Sequence, residues 1–335
     1  MAFNAASSAS DGCCSSSGTP MSSTDSFDFS TAAASISCYS SSPSSSRRAR
    51  ISVSETSLMS SPVYRKESLR QTVWARMRRN GSLLSVDADS TRRIPAFVGS
   101  QFAARNVSEL AEFKAADVVA VGPSMAETSL RRLALQAGKT LLVPVISPGS
   151  DAFGFLLNGR GMSATRVKMA SNVSGLERFG TRLKAGELLG WGSAHVDLFC
   201  IGSVAVAQNG MRIGAGRGHG ELEWAVLSSA AWVDPSTLVV TMAHRDQVVH
   251  SRLDLPLELK RHCDLPADVV ATPGRVFRAR RAIPRPIGVD WSLIDSKELA
   301  ENKILSALYN LERSQSDAYF NDYPPTELLL QEMQI

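Results

Sequence analysis

Apolar residues recur at helical spacing from Val63 to Asn80, where Leu69, Val73, Trp74 and Met77 share one face and basic residues fill the rest. Asn80-Gly81 then stops the helix. "NVSELAEFKAA" predicts a second helix, capped by Asn106 or Ser108, which feeds "DVVAVG", a short strand of the buried type. "AETSLRRLALQAGK" predicts an amphipathic helix ended by Gly138, and "TLLVPV" follows it as a strand. Strand, helix and strand at this spacing make a βαβ unit with parallel pairing. "SGLERFGTRLKAGELLGWGS" shows no clear period and reads as loops over the sheet.

Further on, "VDLFCIGSVAVA" and a short return flank "QNG", a hairpin signal. "ELEWAVLSSAAW" predicts a helix, "TLVVTMAH" and "DVVAT" predict strands, and "SKELAENKILSALYNLERS" predicts one C-terminal helix. The pattern as a whole predicts an α/β fold with a mostly parallel sheet. It spans residues 63–295, followed by a helix and tail over 296–335.

Residues 1–62 differ in kind. Serine and other small residues dominate, leaving too little apolar surface to offset the entropy of ordering. "SSSRRARIS" suits a transit peptide for a chloroplast, whereas Asp11, Asp25 and Asp28 suit a disordered tail on a cytoplasmic protein. The chain of 335 residues carries a net charge of +4, too mild to argue for nucleic acid, and no apolar run has membrane-spanning length. Its five cysteines form neither a disulfide framework nor a zinc motif.

Candidate chemistry concentrates in "RIGAGRGHGELEWA", residues 212–225. Gly214, Gly216, Gly218 and Gly220 lack the spacing of a dinucleotide fingerprint. "AGKT" at 137–140 has Leu133 where a P-loop needs glycine, and it leads into a strand. Two readings survive: a hairpin corner with glycines for backbone reasons, or a loop of bare amides entering a helix N-terminus. Such amides favour an anion by up to roughly 1 kcal/mol, and an arginine bond to phosphate adds about 1.5–3 kcal/mol. On the second reading Arg212 matters more than the helix dipole.

"RIGAGRGHGELE" resembles the Arg-Leu-Gly-Tyr-Gly-Gly-Gly-Tyr-Tyr-Asp loop of 5-formyltetrahydrofolate cyclo-ligases. "GSVAV", "RIPAFVGSQFAA", "VVTMAHRDQVV" and "PIGVDW" resemble the divergent methenyltetrahydrofolate synthetase domain-containing branch and its plant cyclo-ligase-like relatives. The resemblance implies a three-layer α/β fold of the cyclo-ligase type, with ATP, Mg2+ and a folate meeting over the glycine loop. ATP would phosphorylate the N5-formyl oxygen and N10 would then close the methenyl bridge. Residue by residue, it implies phosphate contacts from Arg212, Gly214, Gly216 and Gly218. Lys66 would be the lysine of the Lys-x-x-Leu-Arg helix, with Leu69 and Arg70 in register, and Glu221 the magnesium carboxylate. A solvated helix lysine and an ordinary first-turn acid are the plain alternatives for Lys66 and Glu221.

The chain also departs from that pattern. His219 and Gly220 replace paired tyrosines, and Ser124 falls where catalytic members carry a folate-contacting glutamate, with Glu127 three residues on. A non-catalytic nucleotide- or folate-binding paralogue is therefore the alternative to an enzyme. His244 reads as structural, and Arg278, Arg280 and Arg281 as a solvated face.

Overall fold

In Val118–Val121 and Thr140–Pro144 every residue after the first is buried, as expected of strands covered on both faces. These are β1 and β2 of a computed structural model that describes residues 61–84, 93–147, 149–190, 195–279 and 283–322. They pair in parallel through the crossover helix Thr128–Gln136, which ends at Gly138 with φ +73°, so the predicted βαβ unit is present. The serine-rich leader, apart from Ser61 and Pro62, lies outside the described residues, as do Arg280 and Arg281.

In chain order the helices are α1 (Pro62–Arg79), α2 (Ser100–Ser108), α3 (Ala111–Ala115), α4 (Thr128–Gln136), α5 (Ala164–Ala170) and α6 (Val173–Phe179). They continue with α7 (Ala185–Leu188), α8 (His219–Ser229), α9 (Ser296–Glu301) and α10 (Lys303–Asp322). The remaining strands are β3 (Ala152–Asn158), β4 (Thr181–Lys184), β5 (Leu198–Cys200), β6 (Ala205–Ala207) and β7 (Arg212–Ile213). Four more follow: β8 (Leu238–Met242), β9 (Val248–Val249), β10 (Val269–Ala271) and β11 (Val276–Arg278).

Among the described residues the main sheet has eight strands in the order β11-β10-β8-β5-β1-β2-β3-β4, the central five parallel and both edges antiparallel. Alternation along β1 divides the core. Val119 and Val121 join a cluster with Val73, Trp74 and Met77 of α1, while Ala120 joins one with Leu222, Trp224 and Val226 of α8. Helices thus cover both faces, giving the three-layer α/β architecture. No helix of the described residues is long and apolar enough to cross a membrane.

Several elements differ from the sequence reading. The single helix placed over 106–116 is two: α2 runs from Ser100, behind a left-handed Gly99, to Ser108, and α3 follows at Ala111, while Asn106 inside α2 donates to the Thr272 carbonyl at 2.8 Å instead of capping. Residues 174–193, read as loops, contain most of α6 and all of β4 and α7. In β4 only Leu183 is buried, so this edge strand carries no apolar period to read. The C-terminal helix is two, divided at Asn302, whose side chain accepts from the amides of Ile304 and Leu305. Ile304, Leu305 and Leu308 of α10 are buried in the α8-side cluster. "VDLFCIGSVAVA" also divides: β5 stays in the main sheet, and β6 forms a three-stranded sheet with β7 and β9. The β6–β7 hairpin is present as the Asn-Gly signal predicts.

Candidate functional site

The hairpin delivers the chain into residues 214–218 and then into α8. Its glycines are needed for two different reasons. Gly216 and Gly218 have φ +91° and +70°, where an L side chain is strained. Gly214 and Gly220 are small for packing: a Cβ would lie 3.0 Å from Arg212 Nη2 in one and 2.7 Å from Ile201 Cδ1 in the other. Each of the four glycines thus has a backbone or packing reason, as the corner reading expects, and the bare-amide reading turns on what the loop borders. The loop walls a cleft together with Lys66 and Arg70 of α1, Glu221 of α8, and Arg261, Cys263 and Asp264 ahead of β10. The α8 N-terminus adds first-turn amides that have no acceptor within the helix.

Lys66 is 5% exposed and ion-pairs with Asp264, so it is not a solvated helix lysine. Arg70 holds the loop: its Nε donates to the Gly214 carbonyl at 2.8 Å and its Nη1 to Glu67 Oε2 at 2.9 Å. Arg212 lies elsewhere than the motif implies. Its side chain is 1% exposed and points into the fold beneath the loop. Nε donates to Ser203 Oγ at 3.2 Å, Nη1 to Glu221 Oε1 at 2.5 Å and to the Leu265 carbonyl at 3.2 Å, and Nη2 to the Gly202 carbonyl at 3.0 Å. A buried guanidinium is tolerated only when paired and hydrogen-bonded, and here it is both. Contrary to the implied phosphate contact, Arg212 braces Glu221 and the end of β5, and does not line the cleft.

Glu221 does line it, but with one oxygen held by Arg212. Among the described residues no group of three His, Cys, Asp or Glu side chains could hold a metal. Glu221 is the motif's carboxylate on the cleft wall, and its second oxygen is the one a magnesium ion with several other oxygen ligands could take.

Sequence reasoning passed over Arg261, whose segment has no local pattern, and Asp264, which meets Lys66 across 198 positions. Arg70 was visible only as part of the Lys-x-x-Leu-Arg register. His219 opens α8, and burial, followed by the charge of Arg217, lowers its pKa to about 4. It is neutral at pH 7 and adds no positive charge to the loop. His244 accepts from the Asp246 amide at 3.2 Å and caps a short 3₁₀ turn, a structural part as predicted. Arg278 pairs with Glu112 at 2.6 Å on the surface.

Glu127 does not reach the cleft. It is 2% exposed, accepting from Ser124 Oγ at 2.6 Å and from Cys200 Sγ at 3.7 Å, and burial raises its pKa against those bonds and Arg131. Glu223 is 6% exposed, and burial, then the charges of Glu127 and Glu221, push its pKa well above the usual 4.5. A carboxyl raised in the folded state contributes stability below its unfolded pKa and loses it as pH rises through the folded one. Glu223→Gln is therefore expected to match wild type in acid and to exceed it increasingly toward alkaline pH. Urea midpoints measured across pH check this, and parallel profiles would refute it.

A model of the 5-formyltetrahydrofolate cyclo-ligase family matches residues 62–273. The chain is 31% identical to the methenyltetrahydrofolate synthase domain-containing proteins of Bos taurus and Homo sapiens, over 77% and 72% of its length, and covers 66% and 61% of theirs. The Danio rerio counterpart is 33% identical over 66% of the chain and 56% of its own length. The chain thus spans about two thirds or less of these relatives. The NMR structure of Aquifex aeolicus 5,10-methenyltetrahydrofolate synthetase aligns at 22% identity over 65% of this chain and 95% of that one, with a TM-score of 0.40.

Proposed function

Because the chain belongs to the 5-formyltetrahydrofolate cyclo-ligase family, we propose that it binds Mg-ATP over the glycine loop with a reduced folate beside it, converting 5-formyltetrahydrofolate to 5,10-methenyltetrahydrofolate. The observation that carries this reading is the cleft. Bare amides at Gly216 and Gly218, the α8 N-terminus, Lys66, Arg70 and Arg261 all border one space. Bound Mg-ATP would supply the phosphoryl group that activates the formyl oxygen. The chain's own contribution is positioning and charge. Arg70 fixes the loop through the Gly214 carbonyl, Asp264 holds the Lys66 ammonium at the wall, and Arg212 keeps Glu221 in place from beneath.

A second reading, binding without turnover, is favoured by Glu127. The acid nearest the folate-contacting position is sealed under Ser124 and Cys200, and neutral His219 with Gly220 replaces the paired rings. One assay separates the two. Full-length protein is mixed with 5-formyltetrahydrofolate and Mg-ATP, and the methenyl chromophore is followed against ADP. Both products appear if it is an enzyme. Nucleotide or folate binding without either product supports the second reading, and failure to bind either ligand rejects both.

A further inference from the structure

We propose that Arg261 is the guanidinium that grips the ligand's phosphates in this cleft, the part the loop motif assigns to Arg212. The inference rests on the nucleotide reading above and names the residue that makes the charge contact. Lys66 is neutralised by Asp264, Arg70 is paired with Glu67, and Glu221 is neutralised from beneath by Arg212. Among the described residues the Arg261 side chain has no hydrogen bond or ion pair, although it belongs to the same wall.

The backbone of Arg261 is nonetheless fixed. Its amide donates to Asp264 Oδ2 at 2.7 Å and its carbonyl accepts from Lys260 Nζ at 3.1 Å. Its charge is felt inside the cleft, where it opposes the upward push of burial on the Cys263 thiol. Asp264 therefore serves two ends at once, holding the Lys66 ammonium and anchoring the arginine beside it. With the other cations each matched by a carboxylate, Arg261 supplies the cleft's surplus positive charge. Its planar fork suits the paired oxygens of a polyphosphate better than the point charge of a lysine does.

The test is calorimetric titration of the full-length protein with Mg-ATP and, separately, with inorganic tripolyphosphate. Arg261→Ala is expected to weaken both by about tenfold or more, and Arg261→Lys to recover only part of the loss. Lys297→Ala, which removes an exposed charge from α9, controls for net charge and is expected to bind as wild type does. Unchanged thermal midpoints establish that the variants are folded. If wild type binds and Arg261→Ala matches it, the inference falls while the nucleotide reading stands. If wild type binds neither probe, the nucleotide reading itself fails.

Discussion

Arg212→Ala is expected to destabilise the fold by about 3–5 kcal/mol, the usual effect of removing one partner from a buried ion pair. The variant leaves Glu221 at 8% exposure with no cation, and strips partners from Ser203 Oγ and the carbonyls of Gly202 and Leu265. Lys66→Ala is expected to cost much less stability. Its partner Asp264 keeps 18% side-chain exposure and the Arg261 amide, and water can take over the remaining demand. Urea midpoints measure both. A second comparison isolates the charge: Arg212→Met combined with Glu221→Gln is expected to recover much of what Arg212→Met alone loses. An Arg212→Ala protein with an unchanged midpoint and abolished nucleotide binding would overturn this and return the guanidinium to the phosphate.

That contrast shows where the sequence was legible. A helix such as α1 writes its buried face at three- and four-residue spacing, and β1, α4 and β2 follow one another within thirty positions. Their period and order could be read directly. The glycine loop could also be located, because φ values of +91° and +70° at Gly216 and Gly218 demand glycine locally. What could not be read was direction. An arginine ahead of a glycine run looks the same whether it reaches out to a ligand or back to a carboxylate nine residues on, as Arg212 does. Long-range partners were equally hidden. Asp264 acquires its role only when the fold brings the segment before β10 against α1. Short edge strands failed for a third reason: with Leu183 alone buried, β4 has no alternation to betray it.

Arg131→Met is the other variant with a large expected cost, on the order of 3–5 kcal/mol, because it leaves several buried acceptors around the turn between β1 and α4 unpaired at about 1–3 kcal/mol each. Arg131 is fully buried in α4. Its Nε donates to the Ser171 carbonyl at 2.9 Å, Nη1 to the carbonyls of Gly122 and Ser124, and Nη2 to Thr128 Oγ1 at 2.9 Å. Burial lowers its pKa to about 10, with Glu127 and Cys200 pulling the other way, so it stays charged at neutral pH. One side chain therefore ties the end of β1, the turn into α4 and the α5–α6 corner together. Methionine fills similar volume but leaves the carbonyls of Gly122, Ser124 and Ser171 without their donor and removes the positive charge near Glu127. Two mechanisms could produce the loss, and a double mutant separates them. If Arg131 acts by stabilising Glu127, Glu127→Gln in the same chain removes most of the effect. If it acts through the carbonyls, the loss is the same in either background. Because Arg131 donates to three carbonyls and makes no direct hydrogen bond to Glu127, the second outcome is the one expected, and a large recovery would show the carboxyl to be the element that the arginine serves.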